Sequence, residues 1–170
     1  MDARDKILSI LKEAYQVEIN GYTFYSMTAK EAKNEATKEL FDKLAKDEVE
    51  HQNYLKGVAK RFSTEGTEDA FKVKLTKPSM GEFVSKLFTD KFISQAKGAQ
   101  FELGAVSVGM TLETNAMEIF RRAQEGTESK EVKEFYSFLH NWEKEHFDSL
   151  KNFYDQLRKG FWEEGNFSPF

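Results

Sequence analysis

Apolar residues recur every three or four positions along four long stretches of the chain, the pattern of helices with one buried face. It predicts helices over residues 4–32, 36–62, 101–125 and 129–158. The clearest buried faces belong to the second and fourth helices. They consist of Phe41, Leu44, Glu48, His51, Leu55, Val58 and Phe62 in the second helix, and of Tyr136, Leu139, Glu143, His146, Leu150, Phe153 and Leu157 in the fourth.

Each of these two faces is interrupted only by a glutamate and a histidine three residues apart, which are neighbours on one side of a helix. These pairs are Glu48 with His51 and Glu143 with His146. A single Glu-x-x-His on a helix is usually a solvated surface pair. Two copies on apolar faces make that interpretation improbable and mark the four side chains as candidates for a buried site.

The second pair follows the first after 95 residues, and the chain contains an internal repeat with the same offset. Residues 17–56 match residues 112–151 without a gap, and the match includes Glu18 and Glu113, each about 30 residues before its Glu-x-x-His. Each half therefore predicts an antiparallel helical hairpin, and two hairpins make an all-α four-helix bundle.

The turns of the two hairpins indicate that the glutamates face each other. In an antiparallel hairpin, residues equidistant from the turn lie at the same height. The midpoint between Glu18 and Glu48 is residue 33, and that between Glu113 and Glu143 is residue 128; both fall in predicted connections. Four carboxylates and two imidazoles are thus expected at one level of the bundle interior.

Four buried carboxylates repel one another and need protons, cations or water to compensate them. No lysine or arginine shares the two apolar faces, whereas two divalent metal ions would neutralise the four charges. Carboxylate-rich ligation with one imidazole per ion suits iron, and also manganese, better than structural zinc, although zinc can substitute. A metal-free bundle that serves as an interaction module is the alternative.

Composition narrows the class of protein. The chain has 170 residues and no cysteine, which excludes disulfides, thiolate metal sites and a cysteine nucleophile. A formal net charge of −4 argues against a nucleic-acid partner. The charged start has no apolar run long enough for a signal peptide or membrane span, so we expect no membrane association and a cytoplasmic location.

The sequence resembles the ferritin-like superfamily, and within it the rubrerythrin-like branch. Four motifs carry the resemblance: Val17-Glu-Ile-Asn-Gly-Tyr-Thr-Phe-Tyr25, Asp47-Glu-Val-Glu-His51, Leu112-Glu-Thr-Asn-Ala-Met-Glu-Ile-Phe120 and Trp142-Glu-Lys-Glu-His146. The resemblance implies a ferritin-like four-helix bundle in which a long crossover, residues 63–100, links two antiparallel hairpins that form a single domain over residues 1–170.

The resemblance also implies roles for the candidate residues at a site with two iron ions. Glu18 and Glu113 are expected to be terminal ligands of one ion each. Glu48 and Glu143 are expected to bridge the ions. One imidazole, from His51 or His146, completes each ion. Tyr25 resembles the family's tyrosine that donates a hydrogen bond to a ligand carboxylate, and Phe120 takes its place in the second half.

Two departures bear on the activity that the resemblance implies, which is reduction of hydrogen peroxide or dioxygen in oxidative-stress defence. Rubrerythrins carry an additional glutamate near the third-helix ligand, but the candidate positions here are Met110 and Ala116. Their cysteine-ligated rubredoxin domain has no counterpart, so an external electron-donor protein is expected. Iron oxidation for storage, as in ferritins, and metal binding without turnover are the alternatives.

The last ten residues suggest an interface. The tail over residues 161–170 contains Phe161, Trp162, Phe167 and Phe170, which offer apolar surface. Because rubrerythrin-like bundles commonly pair, the sequence predicts a homodimer that buries this tail. The alternative is a tail that folds back over its own bundle.

Overall fold

The computed structural model of the chain describes residues 3–76, 80–88 and 99–164. The side chains of the predicted tail, 161–170, lie outside the described part. Every regular element within it is helical. The elements are α1 (Ala3–Glu31), α2 (Glu35–Glu65), a 3₁₀ helix (Glu68–Phe71), α3 (Met80–Ser85), α4 (Gln100–Glu125) and α5 (Lys130–Glu164).

The first hairpin consists of α1 and α2, which pack along each other. Asn34 closes the short connection between them, because its side-chain oxygen accepts a hydrogen bond from the backbone N–H of Thr37 at 3.2 Å and so caps α2. At the opposite end, the Arg4 guanidinium donates to the carbonyl of Ser63 at 2.9 Å. The start of α1 thus lies beside the end of α2, as an antiparallel hairpin requires.

The second hairpin consists of α4 and α5, and the two hairpins meet mainly through α1 and α4. These two helices run antiparallel. Arg122, near the end of α4, pairs with Glu13 of α1 at 2.7 Å, while Tyr25, near the end of α1, contacts the Gly109 carbonyl at 3.4 Å. It follows that α2 and α4 run parallel, so the chain must return along the bundle before α4 begins.

The connection between α2 and α4 makes this return. Phe71 of the 3₁₀ helix packs against Phe62 and Phe135 at the end of the bundle where α2 stops. Met80 and Val84 of α3 belong to the apolar cluster at the other end. The predicted crossover is therefore confirmed, and with it the ferritin-like arrangement of the helices.

Two apolar clusters fill the bundle, one towards each end. One contains Tyr25, Phe41 and Phe153, and the other contains Phe62, Phe120 and Phe135. The buried polar residues of the repeat lie between these clusters. No helix in the described ranges is both long and apolar enough to cross a membrane.

Two helices end three or more residues beyond their predicted bounds, whereas the other ends agree within one residue. The second helix continues beyond residue 62 to Glu65, where Gly66 ends it with a φ of 69°, a left-handed conformation that favours glycine. The predicted end of the fourth helix at residue 158 is wrong, because α5 continues to Glu164. Gly160 lies in the helix and is buried, so it packs there rather than acting as a helix cap.

Two glycines of α2 should respond in opposite directions to replacement by alanine. Gly57 lies within the helix with no atom near an added Cβ, so Gly57→Ala should raise the free energy of unfolding by roughly 0.5–1 kcal/mol. Gly66→Ala should lower it by about 1–2 kcal/mol, since alanine is strained at a positive φ. Urea denaturation measures both, and effects of equal sign would contradict the helix end described here.

Candidate metal centre

Six acidic and imidazole side chains converge at the middle of the bundle, and none is more than 3% exposed. They form two groups of four in which one possible ligand atom from each residue lies within 4.8 Å of the others, and a smaller group of His51, Glu143 and His146 meets the same distance. Glu48 and Glu143 belong to both groups of four. The groups are Glu18, Glu48, His51 and Glu143, and Glu48, Glu113, Glu143 and His146.

These are the six residues that the sequence predicts for one site, and the structure brings all of them together. Each group takes residues from both hairpins, so neither hairpin contains a complete group. The two glutamates common to both groups are those expected to bridge. The matching heights predicted for Glu18 with Glu48, and for Glu113 with Glu143, agree with this placement.

In the first group, the Nδ1 atom of His51 faces the carboxylates. It lies 3.1 Å from Glu18 Oε2, 3.2 Å from Glu48 Oε2 and 2.8 Å from Glu143 Oε1. Gly21, one helical turn after Glu18, leaves room here, because a Cβ at this position would lie only 3.3 Å from the Glu48 carboxyl carbon. A glycine in α1 thus lets one shared carboxylate approach the helix.

The second group has the same construction around His146. Its Nδ1 atom lies 3.0 Å from Glu143 Oε2 and 3.6 Å from both Glu48 Oε1 and Glu113 Oε1. The rings of His51 and His146 are stacked, with centroids 5.5 Å apart and planes inclined by 23°. Both imidazoles therefore present the same nitrogen, Nδ1, to the carboxylates between them.

Tyr25 supports one of the carboxylates. Its hydroxyl donates a hydrogen bond to Glu113 Oε1, the contact that the family resemblance implies. The ring is fully buried beside Phe24 and Phe41. Burial raises the pKa of the Tyr25 hydroxyl well above its ordinary value, and the charge of Glu113 raises it further, so the phenol keeps its proton.

Asp47 is a residue that the sequence analysis did not assign to the site. Its Oδ2 atom lies 3.2 Å from Nε2 of His146, and it also forms an ion pair with Lys43. Burial alone would raise the pKa of Asp47, but His146 and Lys43 hold that pKa below its ordinary value. The available signal was an acidic residue directly before Glu-x-x-His, with a lysine four positions earlier.

The protonation of the centre without metal follows from its burial. Burial, reinforced by the charge of Glu143, raises the pKa values of Glu18 and Glu113 well above the ordinary range. Burial opposes the charge on both imidazoles, but the surrounding carboxylates raise the pKa values of His51 and His146 well above 6.5. Burial likewise opposes the charge of Glu143, but the imidazoles hold its pKa far below the ordinary value.

These side chains fit divalent metal ions. Four carboxylates and two imidazole nitrogens are ligands that iron and manganese accept. One buried oxygen, Glu18 Oε1, has no hydrogen-bond partner among the described residues, although it lies in a fully enclosed site. In the metal-free protein, the protons that the cluster retains compensate the carboxylate charges in place of cations. Metal ions would displace these protons when they bind.

The stability of the metal-free protein should fall as pH rises. Glu18 and Glu113 have raised pKa values in the folded state, so the stability linked to their protons declines as pH rises above about 4.3, their unfolded-state value. The contribution of His51 and His146 is complete below about 6.5 and is lost as pH rises through their raised folded values. Urea denaturation of chelator-treated protein between about pH 5 and pH 9 measures this; stability that rises over the range would contradict it.

Other candidate residues stay outside the centre. Glu50 is exposed and His140 is half-buried, and neither belongs to the ligand groups. Met110 and Ala116 place no carboxylate beside Glu113, and Ala116 packs in an apolar cluster. The carboxylates of the two ligand groups in the described chain are therefore the four expected glutamates.

Comparison with known proteins agrees with this geometry. A family model described as Rubrerythrin matches residues 9–154, which include most of the four long helices and all six residues of the centre. No match was found among curated proteins or among solved structures. The family match, the helical fold and the buried cluster of glutamates and histidines together show that the chain belongs to the rubrerythrin family.

Proposed function

We propose that the six residues bind two iron ions and that the protein reduces hydrogen peroxide or dioxygen at this centre, in oxidative-stress defence. The observation that carries the proposal is the sharing of Glu48 and Glu143 between two four-residue groups. Glu48 and Glu143 would be shared by the two ions, and the remaining residues would supply the ligands of each ion separately. Glu18 with His51, and Glu113 with His146, provide one terminal carboxylate and one imidazole for each ion.

A pair of ferrous ions supplies, when bound, two electrons, which together with two protons reduce hydrogen peroxide to two water molecules. The chain's own residues provide the conditions for this chemistry. The carboxylates of Glu48 and Glu143 carry negative charge in a fully buried site, where it stabilises the more oxidised state of the metal pair. The apolar clusters on both sides of the centre exclude bulk water.

Tyr25 has a defined place in this proposal. Its protonated hydroxyl fixes one oxygen of Glu113, so this carboxylate keeps its orientation at the terminal position. Tyr25→Phe should therefore leave the fold intact and lower metal affinity by about 10-fold, the smaller effect typical of lost outer contacts. Tyr22→Phe is the matched control, because Tyr22 is 42% exposed. Equal metal affinities of the Tyr25→Phe and Tyr22→Phe variants would show that Tyr25 does not contribute to metal binding.

Iron oxidation is a second candidate function, and one observation favours it. Neither Met110 nor Ala116 supplies the additional glutamate near Glu113 that rubrerythrins use when an iron shifts between redox states. A centre without that carboxylate fits oxidation of iron for storage, as in ferritins. Continued peroxide reduction requires an external electron-donor protein. A single oxidation of the centre does not require such a donor.

Stopped-flow mixing of the diferrous protein with oxidants tests both candidates. The apoprotein is loaded anaerobically with two equivalents of Fe(II) and mixed with hydrogen peroxide or, separately, with dioxygen. The proposed reduction predicts fast oxidation by peroxide, slower oxidation by dioxygen, and retention of both ions. Oxidation chiefly by dioxygen, with the iron retained in large assemblies, would favour the second candidate. Rates no faster than those of free Fe(II) would exclude both.

A metal-binding measurement precedes the kinetics. Anaerobic titration with Fe(II), followed by metal quantification, should saturate near two ions per chain. Manganese and zinc should compete for the same residues, since both accept carboxylate and imidazole ligands. Saturation below one ion in folded protein would contradict the ligand assignment and leave a metal-free bundle as the alternative.

A further inference from the structure

The two histidines of the centre differ at their outer nitrogen. Nε2 of His146 lies 3.2 Å from the Asp47 carboxylate. Nε2 of His51 is buried and has no hydrogen-bond partner among the described residues. Trp142 occupies the space beside it, with ring centroids 4.4 Å apart in an edge-to-face contact. An indole is a donor only and offers no acceptor to an imidazole N–H.

The internal repeat places this difference at equivalent positions. An offset of 95 residues relates Asp47 to Trp142, and it relates Lys43 to Phe138. The first half thus has a Lys–Asp ion pair four residues apart, whereas the second half has two aromatic rings with centroids 5.5 Å apart. The side chain directly before each Glu-x-x-His contacts the histidine of the other hairpin, but only one of them is a carboxylate.

The terminal glutamates show the same inequality. Glu113 accepts the hydrogen bond from Tyr25, so one of its oxygens is fixed. Phe120 is the repeat partner of Tyr25 and has no hydroxyl. Glu18 Oε1 has no hydrogen-bond partner in the described part of the chain. Both supporting contacts therefore belong to the same group of four residues.

We propose that the two metal positions are unequal and that the first ion binds the group containing His146. We call this group, Glu48, Glu113, Glu143 and His146, the supported position, and the group of Glu18, Glu48, His51 and Glu143 the unsupported position. A carboxylate on the outer N–H of a ligand histidine fixes the ring and makes the inner nitrogen a stronger donor. Asp47 and Tyr25 are the positioning residues that confer the difference.

This inference rests on the proposed metal binding, and its test separates the two. Glu18→Gln removes a terminal carboxylate from the unsupported position only, and Glu113→Gln removes one from the supported position only. Anaerobic titration with Co(II), followed by its visible absorption and by calorimetry, reports the affinity of the position left intact. Glu18→Gln should keep the tighter wild-type step, and Glu113→Gln should lose it and bind at least about 10-fold more weakly.

Replacement of Asp47 tests the cause of the inequality. Asp47→Asn keeps the shape of the side chain and should weaken the tighter step by about 10- to 100-fold, with little change in the weaker step. Asp148→Asn is the matched control. It breaks another Lys–Asp pair four residues apart, that of Lys144 and Asp148 at 2.6 Å, on the exposed surface of α5. This control should titrate like the wild type.

The results of these titrations distinguish the inequality of the two positions, the role of Asp47 and the metal centre itself. Two Co(II) ions that bind the wild type with equal affinity, or equal loss in the Glu18→Gln and Glu113→Gln variants, would overturn the inequality while leaving the two-metal centre in place. A tighter step that persists unchanged in Asp47→Asn would remove Asp47 as its cause. A wild type that binds no Co(II), Fe(II) or Mn(II) would overturn the metal centre itself and this inference with it.

Discussion

Replacement of Glu48 by alanine is expected to lower the affinity for both metal ions by more than about 100-fold. Glu48 belongs to both ligand groups, so one substitution removes a ligand from each ion. The loss should exceed the roughly 10- to 100-fold effect of outer contacts such as that of Asp47. Anaerobic Fe(II) titration with metal quantification measures it.

The same substitution should not destabilise the metal-free protein. The charge of Glu48 contributes to the raised pKa of Glu18, which shows that the carboxylates repel each other when no metal is bound. Denaturation of metal-free Glu48→Ala should therefore give a free energy of unfolding no lower than that of the wild type. Glu50→Ala, an exposed position on the same helix, is the control and should keep both ions.

Unchanged metal content in Glu48→Ala would contradict the assignment of Glu48 as a ligand of both ions. The alternative, a metal-free interaction module, predicts only a gain in stability from this substitution. Loss of metal accompanied by unfolding would point instead to a structural role for this carboxylate. The metal-binding interpretation requires both results together, namely loss of the ions and a stable apoprotein.

Replacement of Phe71 by alanine is expected to lower the free energy of unfolding by about 3–5 kcal/mol, the usual range for a buried phenylalanine. Phe71 is 2% exposed, and its ring packs edge-on against Phe62 of α2 and Phe135 of α5. It therefore joins the start of the crossover to the end of the bundle. Thermal or urea denaturation of the metal-free protein gives the change.

Phe101→Ala is the matched control for this effect. Phe101 is 49% exposed on α4, so its loss should alter stability by no more than about 0.5 kcal/mol. A small effect at Phe71 would mean that the crossover rests loosely on the bundle. Such a result would contradict the packing described for the 3₁₀ helix, although it would leave the metal centre unaffected.

The six residues of the centre could be predicted because two constraints coincide on them. The helical period places Glu48 and His51 on an apolar face, and the repeat shows the same exception at Glu143 and His146. Asp47 escaped both constraints. It lies one position away from the apolar face, which is about 100° around the helix. Its repeat partner is Trp142, so the repeat shows no polar residue at the equivalent position and gives no sign of a role for Asp47.

The end of α5 could not be predicted for a different reason. A glycine ends a helix when its backbone adopts the left-handed conformation, as Gly66 does. Gly160 instead lies within α5, in a buried position. Tertiary packing decided between these two uses of glycine, and a local sequence pattern contains no information about it.

The division of each ligand group between the two hairpins has a consequence for folding. Contacts within each hairpin are close along the chain, so both hairpins can form early, whereas a complete ligand group exists only after they dock. Metal ions should therefore bind the assembled state most tightly and draw the equilibrium towards it. Two separate polypeptides, cut within the crossover, should accordingly associate far more tightly when Fe(II) is present than when it is chelated.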